Sequence, residues 1–314
     1  MIDFSKTELI DIITTLKKEL LTLEPKQILE FQALNPDLLS SHYSGTRYFL
    51  NEIQHIYRTY KSWLDLAQQL HCRMLTPSYL SQEYVLIRFE KLNPDESFHS
   101  SNIEKEEKYG ENSIFHKIHK NEESAFLYTY IQALRNAQIN KRIRILNLGV
   151  NSGDEFEVIQ KFASNFTNLE LLGIDYCHSA ITLAKKKFAR FQNINFIQHD
   201  INDLASLNLD TFDLIISIGT LQSSNLEFNP LLMSIVQNQL KKEGAIILGF
   251  PNCRWIDGEM IYGAKVKNYN FSEMGLLYKD VIFAKKYLQQ KKFRVTIIGK
   301  DYVFLTGTSI KVKI

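Results

Sequence analysis

Apolar residues recur three and four positions apart at the start of the chain. Leu9, Ile10, Ile12, Ile13, Leu16, Leu20 and Leu21 predict an amphipathic helix. Tyr48, Leu50, Ile53, Ile56, Tyr57, Tyr60, Trp63, Leu64 and Leu66 repeat the spacing with charges between them, so the pattern from Ser5 to about Ser81 predicts helices packed through aromatic side chains. Near Glu83 the period changes, and YVLIRFEKL predicts a strand of an edge hairpin or a short β subdomain. The polar stretch NPDESFHSSNIEKEEKYGEN, from Asn93 to Asn112, marks a candidate domain boundary. It is either a solvated loop or a lid, since Tyr109, Phe115, His116 and His119 stand just before the next helix.

From Asn121 onward the pattern becomes regular. A helical segment, NEESAFLYTYIQALRNAQI, leads into RILNLG, and strand-like runs then alternate with helical ones: ELLGID, AITLAKKKFARF, INFIQHD, FDLIISIG, PLLMSIVQNQLKK and GAIILGF. Strands separated by helices need right-handed crossovers, which give a mostly parallel sheet covered on both faces. This predicts an α/β class, an open doubly wound sheet. After GAIILGF come a long loop and a helix around Leu276, Leu277, Val281, Ile282, Tyr287 and Leu288. The closing runs FRVTIIG and KDYVFLTGTSI lie too close together for a parallel return, so they predict an antiparallel hairpin.

Composition narrows this picture without changing it. The 314 residues predict two domains, drawn at 1–110 (mainly helical with a short β element) and 111–314. An apolar share of 45% and a charged share of 23% argue for a globular chain. A net charge of +2 carries no strong nucleic-acid signature. The three cysteines, Cys72, Cys177 and Cys253, are scattered with no C-x-x-C pair, which predicts a reducing compartment and no metal site. No apolar stretch reaches signal-peptide or membrane-span length, so the expectation is a cytoplasmic protein without membrane association.

In doubly wound sheets ligands bind beyond the carboxyl ends of the strands, beside the switch in strand order. The first such place holds Gly149-Val150-Asn151-Ser152-Gly153, whose glycines permit a tight turn and a close backbone approach; a plain βα turn has the same look. Asp175 ends the second strand, 22 residues beyond Gly153, placed to accept hydrogen bonds from two ribose hydroxyls. Asp200 ends the third strand, where it can accept from an adenine amino group while the Ile201 N–H donates to the ring. SIGTLQSSN follows the fourth strand and faces the same crevice. A nicotinamide enzyme would also use a glycine loop and a ribose acid. The G-x-N-x-G loop, the second acid at Asp200 and the closing antiparallel pair count against it.

In order, ILNLGVNSG, LLGID, FIQHD, FDLIISIGTL, GAIILGF and the closing hairpin resemble the class I S-adenosylmethionine-dependent methyltransferases, over roughly Glu122 to Ile314. The resemblance implies a seven-stranded sheet with its last strand antiparallel, and S-adenosyl-L-methionine as cofactor. It implies a cofactor site of Asn147, Gly149, Asn151, Gly153, Glu155, Asp175, Tyr176, Asp200, Ile201, Ile218 and Gly219. Gly149 and Gly153 would approach the methionine moiety, Asp175 the ribose, Asp200 and Ile201 the adenine, and Ile218 and Gly219 the sulfonium.

The chain departs from that pattern twice. Asn147 stands where the first strand usually carries an acid, so Asp154 or Glu155 is expected to supply the charge, and a resemblance to the chemotaxis-receptor methyltransferases, which carry an acid just after the second loop glycine, implies Glu155 for the cofactor's amino group; a first-turn acid complementing the helix dipole reads the same. Gln222 stands where many relatives show a histidine after the fourth strand, which removes the usual base. Methyl transfer is an in-line displacement in which positioning supplies most of the catalysis. His116 and Tyr262 are left as weak catalytic candidates, and Cys253 lacks the partner motif of a catalytic thiol. The loop PNCRWIDGEMIYGAKVKNYNF follows the fifth strand and offers Arg254, Trp255, Tyr262 and Tyr269 to an unidentified acceptor. GTLQ is no match for an adenine-N6 enzyme's motif. The expected acceptor is a small molecule or a tRNA base ahead of a protein. The alternative is a catalytically silent nucleoside-binding relative serving assembly or regulation. Oligomeric state is left open.

Overall fold

In the computed structural model, which describes residues 1–39, 42–97, 107–223, 225–263 and 274–310, the chain divides into two units. One comprises Met1–Ser100 with Trp255–Tyr262, the other Ser101–Arg254 with Gly263–Ile314. The first unit is not mainly helical. It contains β1 (Ile2–Asp3), α1 (Leu9–Thr22), β2 (Ile28–Leu34), β3 (Arg47–Leu50), β4 (Ile53–Ile56), α2 (Tyr60–Gln69), β5 (Cys72–Tyr79) and β6 (Tyr84–Lys91). Four of the strands form a sheet in the order β1-β2-β6-β5, with β1 parallel to β2 and the other pairings antiparallel.

The expected first helix is α1, with Ile12, Leu16 and Leu20 buried. The second helical expectation fails because its first half turns back on itself. Leu50 pairs with Ile53 across Asn51 and Glu52, both in the left-handed region at φ 49° and 63°, which is the two-residue turn a hairpin favours. Helix begins only at Tyr60, where the Thr59 hydroxyl accepts from the Ser62 N–H. The strand at YVLIRFEKL is present as β6, but it lies inside the sheet between β2 and β5 rather than at its edge. The core is aromatic: Phe31 meets Phe89 edge to face at 5.2 Å and Trp63 at 5.4 Å, between α1, α2 and the sheet.

The second unit follows the predicted alternation. Its elements are α3 (Ser124–Asn136), β7 (Arg144–Leu148), α4 (Asp154–Phe162), β8 (Glu170–Asp175), α5 (His178–Lys187), β9 (Ile194–Gln198), β10 (Phe212–Ile218), α6 (Phe228–Asn238), β11 (Leu240–Pro251) and, after the interposed β12 (Cys253–Ile256) and β13 (Glu259–Tyr262), α7 (Met274–Gln290), β14 (Phe293–Gly299) and β15 (Tyr302–Ser309). Seven strands form one sheet in the order β14-β15-β11-β10-β7-β8-β9. Only the last, β15, runs antiparallel to its neighbours. β12 and β13 form a separate hairpin in the long loop after β11, and residues 255–262 of it fall with the first unit.

Both sheet faces are covered because the strands are apolar on both sides. Leu146, Leu148, Ile215, Ile246 and Leu248 face Leu232, Ile235, Val281, Ala284 and Leu288 of α6 and α7. On the other face Phe126 and Tyr130 of α3 pack on Phe304, at 5.6 and 5.9 Å. Each fully buried side chain of this size contributes about 1.5–3 kcal/mol. No helix among the described residues is long and apolar enough to cross a membrane. The order reverses at β7, whose successor β8 lies on one side and β10 on the other, so the crevice beyond their carboxyl ends is where chemistry is sought.

Candidate active site

The loop leaving β7 is tight because its backbone is held on both sides. The Gly149 and Val150 N–H groups both donate to Ile174 O, at 2.8 and 3.1 Å. Gly149 has φ 76°, and a Cβ there would lie 1.8 Å from Thr220 Oγ1. Gly153, at φ 88°, would place a Cβ 2.6 Å from the Phe188 ring, just before α4 begins. Close packing inside the protein thus demands glycine at both positions.

Asp175 closes this loop from β8. Its Oδ2 accepts from the Asn151 N–H at 2.8 Å and its Oδ1 from the Cys177 N–H at 2.9 Å. Burial pushes its carboxyl above the usual aspartate range, against the backbone donors at Cys177, Asn151 and Tyr176, which favour the charged form. The Asn151 side chain donates to Tyr109 O at 2.7 Å, joining the loop to a segment in front of α3. That segment is held in turn at α5, where the Glu107 carboxylate takes the Ser179 hydroxyl and the Glu111 N–H donates to Ser179 Oγ at 3.0 Å. Burial, with the Asp175 charge adding to it, raises the Tyr109 hydroxyl. Residues 107–111 are thereby tied both to the glycine loop and to α5.

Behind the loop sits a charged pair that the sequence pattern did not disclose. Lys120, only 8% exposed, donates from Nζ to Glu155 Oε1 at 3.2 Å, and Glu155 is 2% exposed. Glu155 Oε2 accepts from Asn147 Nδ2 at 3.4 Å. Asn147 is fully buried, and its Oδ1 has no hydrogen-bond partner among the described residues. Burial opposes the Lys120 charge, yet the Glu155, Asp154 and Asp175 carboxylates outweigh it and hold the lysine above its ordinary value. Asp154 in turn meets Lys187 at 3.0 Å. Lys120 escapes notice because HKIHKNEES reads as a polar surface turn, and no spacing rule links it to a residue 35 positions later.

The remaining predicted residues flank this centre to different degrees. Asp200 follows β9 and caps a short 3-10 turn through Oδ1, which accepts from the Asn202 N–H at 2.9 Å; Ile201 is buried beneath it. Tyr176 is 46% exposed at the entrance to α5. Ile218 ends β10, and the Gly219 N–H donates to Gly249 O at 2.8 Å. Thr220 then brings this loop onto Gly149. Gln222 Nε2 donates to Asp280 Oδ2 at 2.8 Å. His116 is exposed in a 3-10 turn, and its backbone N–H donates to Ser113 Oγ. Of the acceptor candidates, Arg254 is buried in the second unit, Trp255 and Tyr262 belong to the first, and Tyr269 lies outside the described residues. Burial pushes the Cys253 thiol far up, which keeps it protonated and unreactive. No group of three or more His, Cys, Asp or Glu among the described residues is arranged to hold a metal ion.

Comparison with known proteins adds to this geometry. A family model described as a methyltransferase domain matches residues 139–298. No curated protein matches the sequence. Solved structures similar to this chain include an N-methyltransferase, NodS, from Bradyrhizobium japonicum, at 15% identity and a TM-score of 0.43, covering 61% of this chain and 99% of that one. Another is a SAM-dependent methyltransferase from Aquifex aeolicus, at 14% identity and a TM-score of 0.43, covering 61% and 95%. A third is a magnesium protoporphyrin IX methyltransferase from Synechocystis, at 14% identity and a TM-score of 0.39, covering 59% and 78%. The family match runs from the turn before β7 into β14 and takes in the glycine loop and Asp175, so this chain belongs to the methyltransferase-domain family and has the fold of a class I methyltransferase.

Proposed function

We propose that the protein binds S-adenosyl-L-methionine at the ends of β7 to β10 and transfers its methyl group to a small molecule or a tRNA base. The observation that carries this reading is the Asp175 carboxylate, held by the backbone N–H groups of Asn151, Cys177 and Tyr176 beside the glycine loop. A carboxylate has about four acceptor positions, so with these three donors in place the carboxylate keeps about one for a ribose hydroxyl. The fit extends to the amino-acid end of the cofactor. Asn147 Oδ1 is a buried acceptor without a donor among the described residues, and the Glu155 carboxylate, whose Oε2 accepts from the same side chain's Nδ2, would take an ammonium group. Lys120 spends one N–H on Glu155 and has others for a carboxylate. At the nucleoside end, Asp200 Oδ2 takes no hydrogen bond among the described residues, and Tyr176 offers an exposed aromatic face.

When bound, the cofactor supplies a methyl carbon activated by an adjacent positive sulfur. The protein's own task is positional. Gly149, Gly153, Ile218 and Gly219 shape the floor of the crevice, and residues 107–111 keep water from it. The first unit, with Trp255 and Tyr262, takes part in acceptor recognition; Arg254 and Tyr269 are assigned the same role, and His116 and Tyr262 remain the candidates for a base. Calorimetric titration of the full chain with S-adenosylmethionine tests the reading. Heat of binding that disappears in Asp175→Ala supports it, and a wild-type chain giving neither heat nor thermal shift overturns it. Incubating extract fractions with radiolabelled cofactor then identifies the acceptor class. Binding with no label transferred to any fraction would favour the silent relative.

A further inference from the structure

The net charge of +2 is the difference between two unlike units. The first holds 10 lysines and arginines against 15 acids, the second 27 against 20. That second excess is concentrated in one place. Residues 274–314, from the start of α7 onward, carry nine basic residues and two acids, while the rest of the unit balances at 18 of each. Over 279–300 the ratio is seven to one. The single acid there, Asp280, accepts from Gln222.

The periodicity of α7 explains how this charge stays in water. Leu277, Val281, Ala284 and Leu288 fall four, three and four residues apart and enter the core. Lys279, Lys285 and Lys286 stand exposed on the rest of the helix. Lys291 and Lys292 continue the run through a turn in which Lys292 takes φ 67°, and Arg294 follows on β14, the outermost strand of the sheet. Among the described residues none of these six has a carboxylate within ion-pair distance; the seventh, Lys300, lies 3.9 Å from Asp301. From Lys279 to the end of α7 the helix rises about 17 Å. Tyr278 and Ile282, both about half exposed, stand among the charges. A surface kept charged for solubility intersperses both signs, and guarding an edge strand asks for charge on β14 alone. Neither accounts for the lysines of α7.

Unpaired cations repeated over such a length, with an aromatic ring among them, suit a chain of phosphates whose bases can stack. An anionic membrane fits less well, because α7 turns its apolar face into the core and has none left to insert. The acidic first unit of a second copy also fits less well, since Glu8, Asp65, Glu90 and Glu96 already meet cations of their own unit. We propose that the exposed face of α7, the turn after it and β14 form a docking surface for the phosphate backbone of RNA. Such docking needs no methyl donor; joined to the donor reading above, it selects the RNA base from the two acceptor classes.

Fluorescence anisotropy of labelled bulk tRNA, titrated with the full chain at several salt concentrations and without cofactor, reads this surface. Wild type should bind with an affinity that falls steeply as salt rises. Lys279→Gln, Lys286→Gln, Lys292→Gln and Arg294→Gln combined should weaken binding at least roughly tenfold and reduce the slope of log affinity against log salt by about three, with the melting temperature unmoved. Lys141→Gln, Lys161→Gln, Lys185→Gln and Lys186→Gln combined remove the same charge from exposed positions elsewhere in the unit and should cost less than about threefold. If the first combination does not melt cooperatively, Lys286→Gln with Arg294→Gln decides, with a slope smaller by about one to two. The proposal is overturned by a wild-type chain that binds no tRNA, or by equal losses in the two fourfold variants. Preference for phosphatidylserine vesicles, or self-association that the first combination abolishes, overturns it as well. Each of these results leaves the donor reading standing, because calorimetry with S-adenosylmethionine is read separately.

Discussion

The two edges of the seven-stranded sheet use charge in opposite ways. Where the parallel strands begin, Arg144 meets Glu170 at 3.1 Å and Asp210 at 3.5 Å, and Lys241 meets Asp213 at 3.0 Å, all with side chains partly or largely in water. A hollow of about 250 Å³ lies there, lined by Arg144, Glu170, Asn193 and Phe212 among others. Where the strands end, the pair Lys120–Glu155 is almost fully enclosed and the buried Asn147 amide oxygen has no partner among the described residues. Exposed pairs are worth little and can be exchanged. A buried pair costs several kcal/mol per ion to desolvate, so it holds only while both partners are in place.

The sharpest break in this contrast is Glu155→Ala, which strands the Lys120 ammonium and should cost about 3–5 kcal/mol in a urea titration. A loss under one would make the two edges alike. Gly149→Ala should cost roughly 3 kcal/mol by the same assay, because it adds a side chain at positive φ against Thr220. Asp175→Ala removes the acceptor that the proposed function assigns to the ribose and should weaken S-adenosylmethionine affinity roughly 100-fold in calorimetric titration. Since burial raises the Asp175 carboxyl, wild-type affinity should fall with acid from a higher pH than an ordinary aspartate sets, as protonation removes the acceptors.

At the other edge the effects are smaller. Burial pushes Asp213 up, but the Arg144 N–H, Lys241 and the Ile143 N–H together hold it below the usual range. A depressed carboxyl contributes stability above its unfolded value, lost as pH falls through the folded one. Asp213→Asn should therefore cost about 1 kcal/mol at pH 7 and nothing in strong acid, read from melts across pH. Arg144→Ala should change stability by less than about 1 kcal/mol, and added salt should shrink even that.

The same contrast explains which features were legible in the linear pattern. Runs such as FDLIISI and GAIILGF announce strands buried on both faces, and the alternation with helices dictates a parallel sheet. The place of Asp175 at the end of LLGID followed from that alternation. In the first unit the pattern misled. Spacings of three and four between Tyr48 and Ile56 occur equally well in two short strands joined by a tight turn, and only the left-handed backbone at Asn51 and Glu52 separates the cases. ILEFQAL carried the period-two alternation of β2, hidden between two helices.

Periodicity is a local quantity, recorded wherever a segment buries one face, so element type and the order of strands could be learned along the chain. Which side chains meet at the end of β7 is a matter of long-range packing. Lys120, Asn147 and Glu155 come from a turn, a strand and a helix, and their pairing at 3.2 and 3.4 Å has no trace in any one segment. The linear pattern establishes a sheet that places Asp175 and a glycine turn beside a crevice. Folding in three dimensions adds that Glu155, in the first turn of α4, is paired with Lys120, because a buried carboxylate needs a partner and Lys120 was the cation brought within reach.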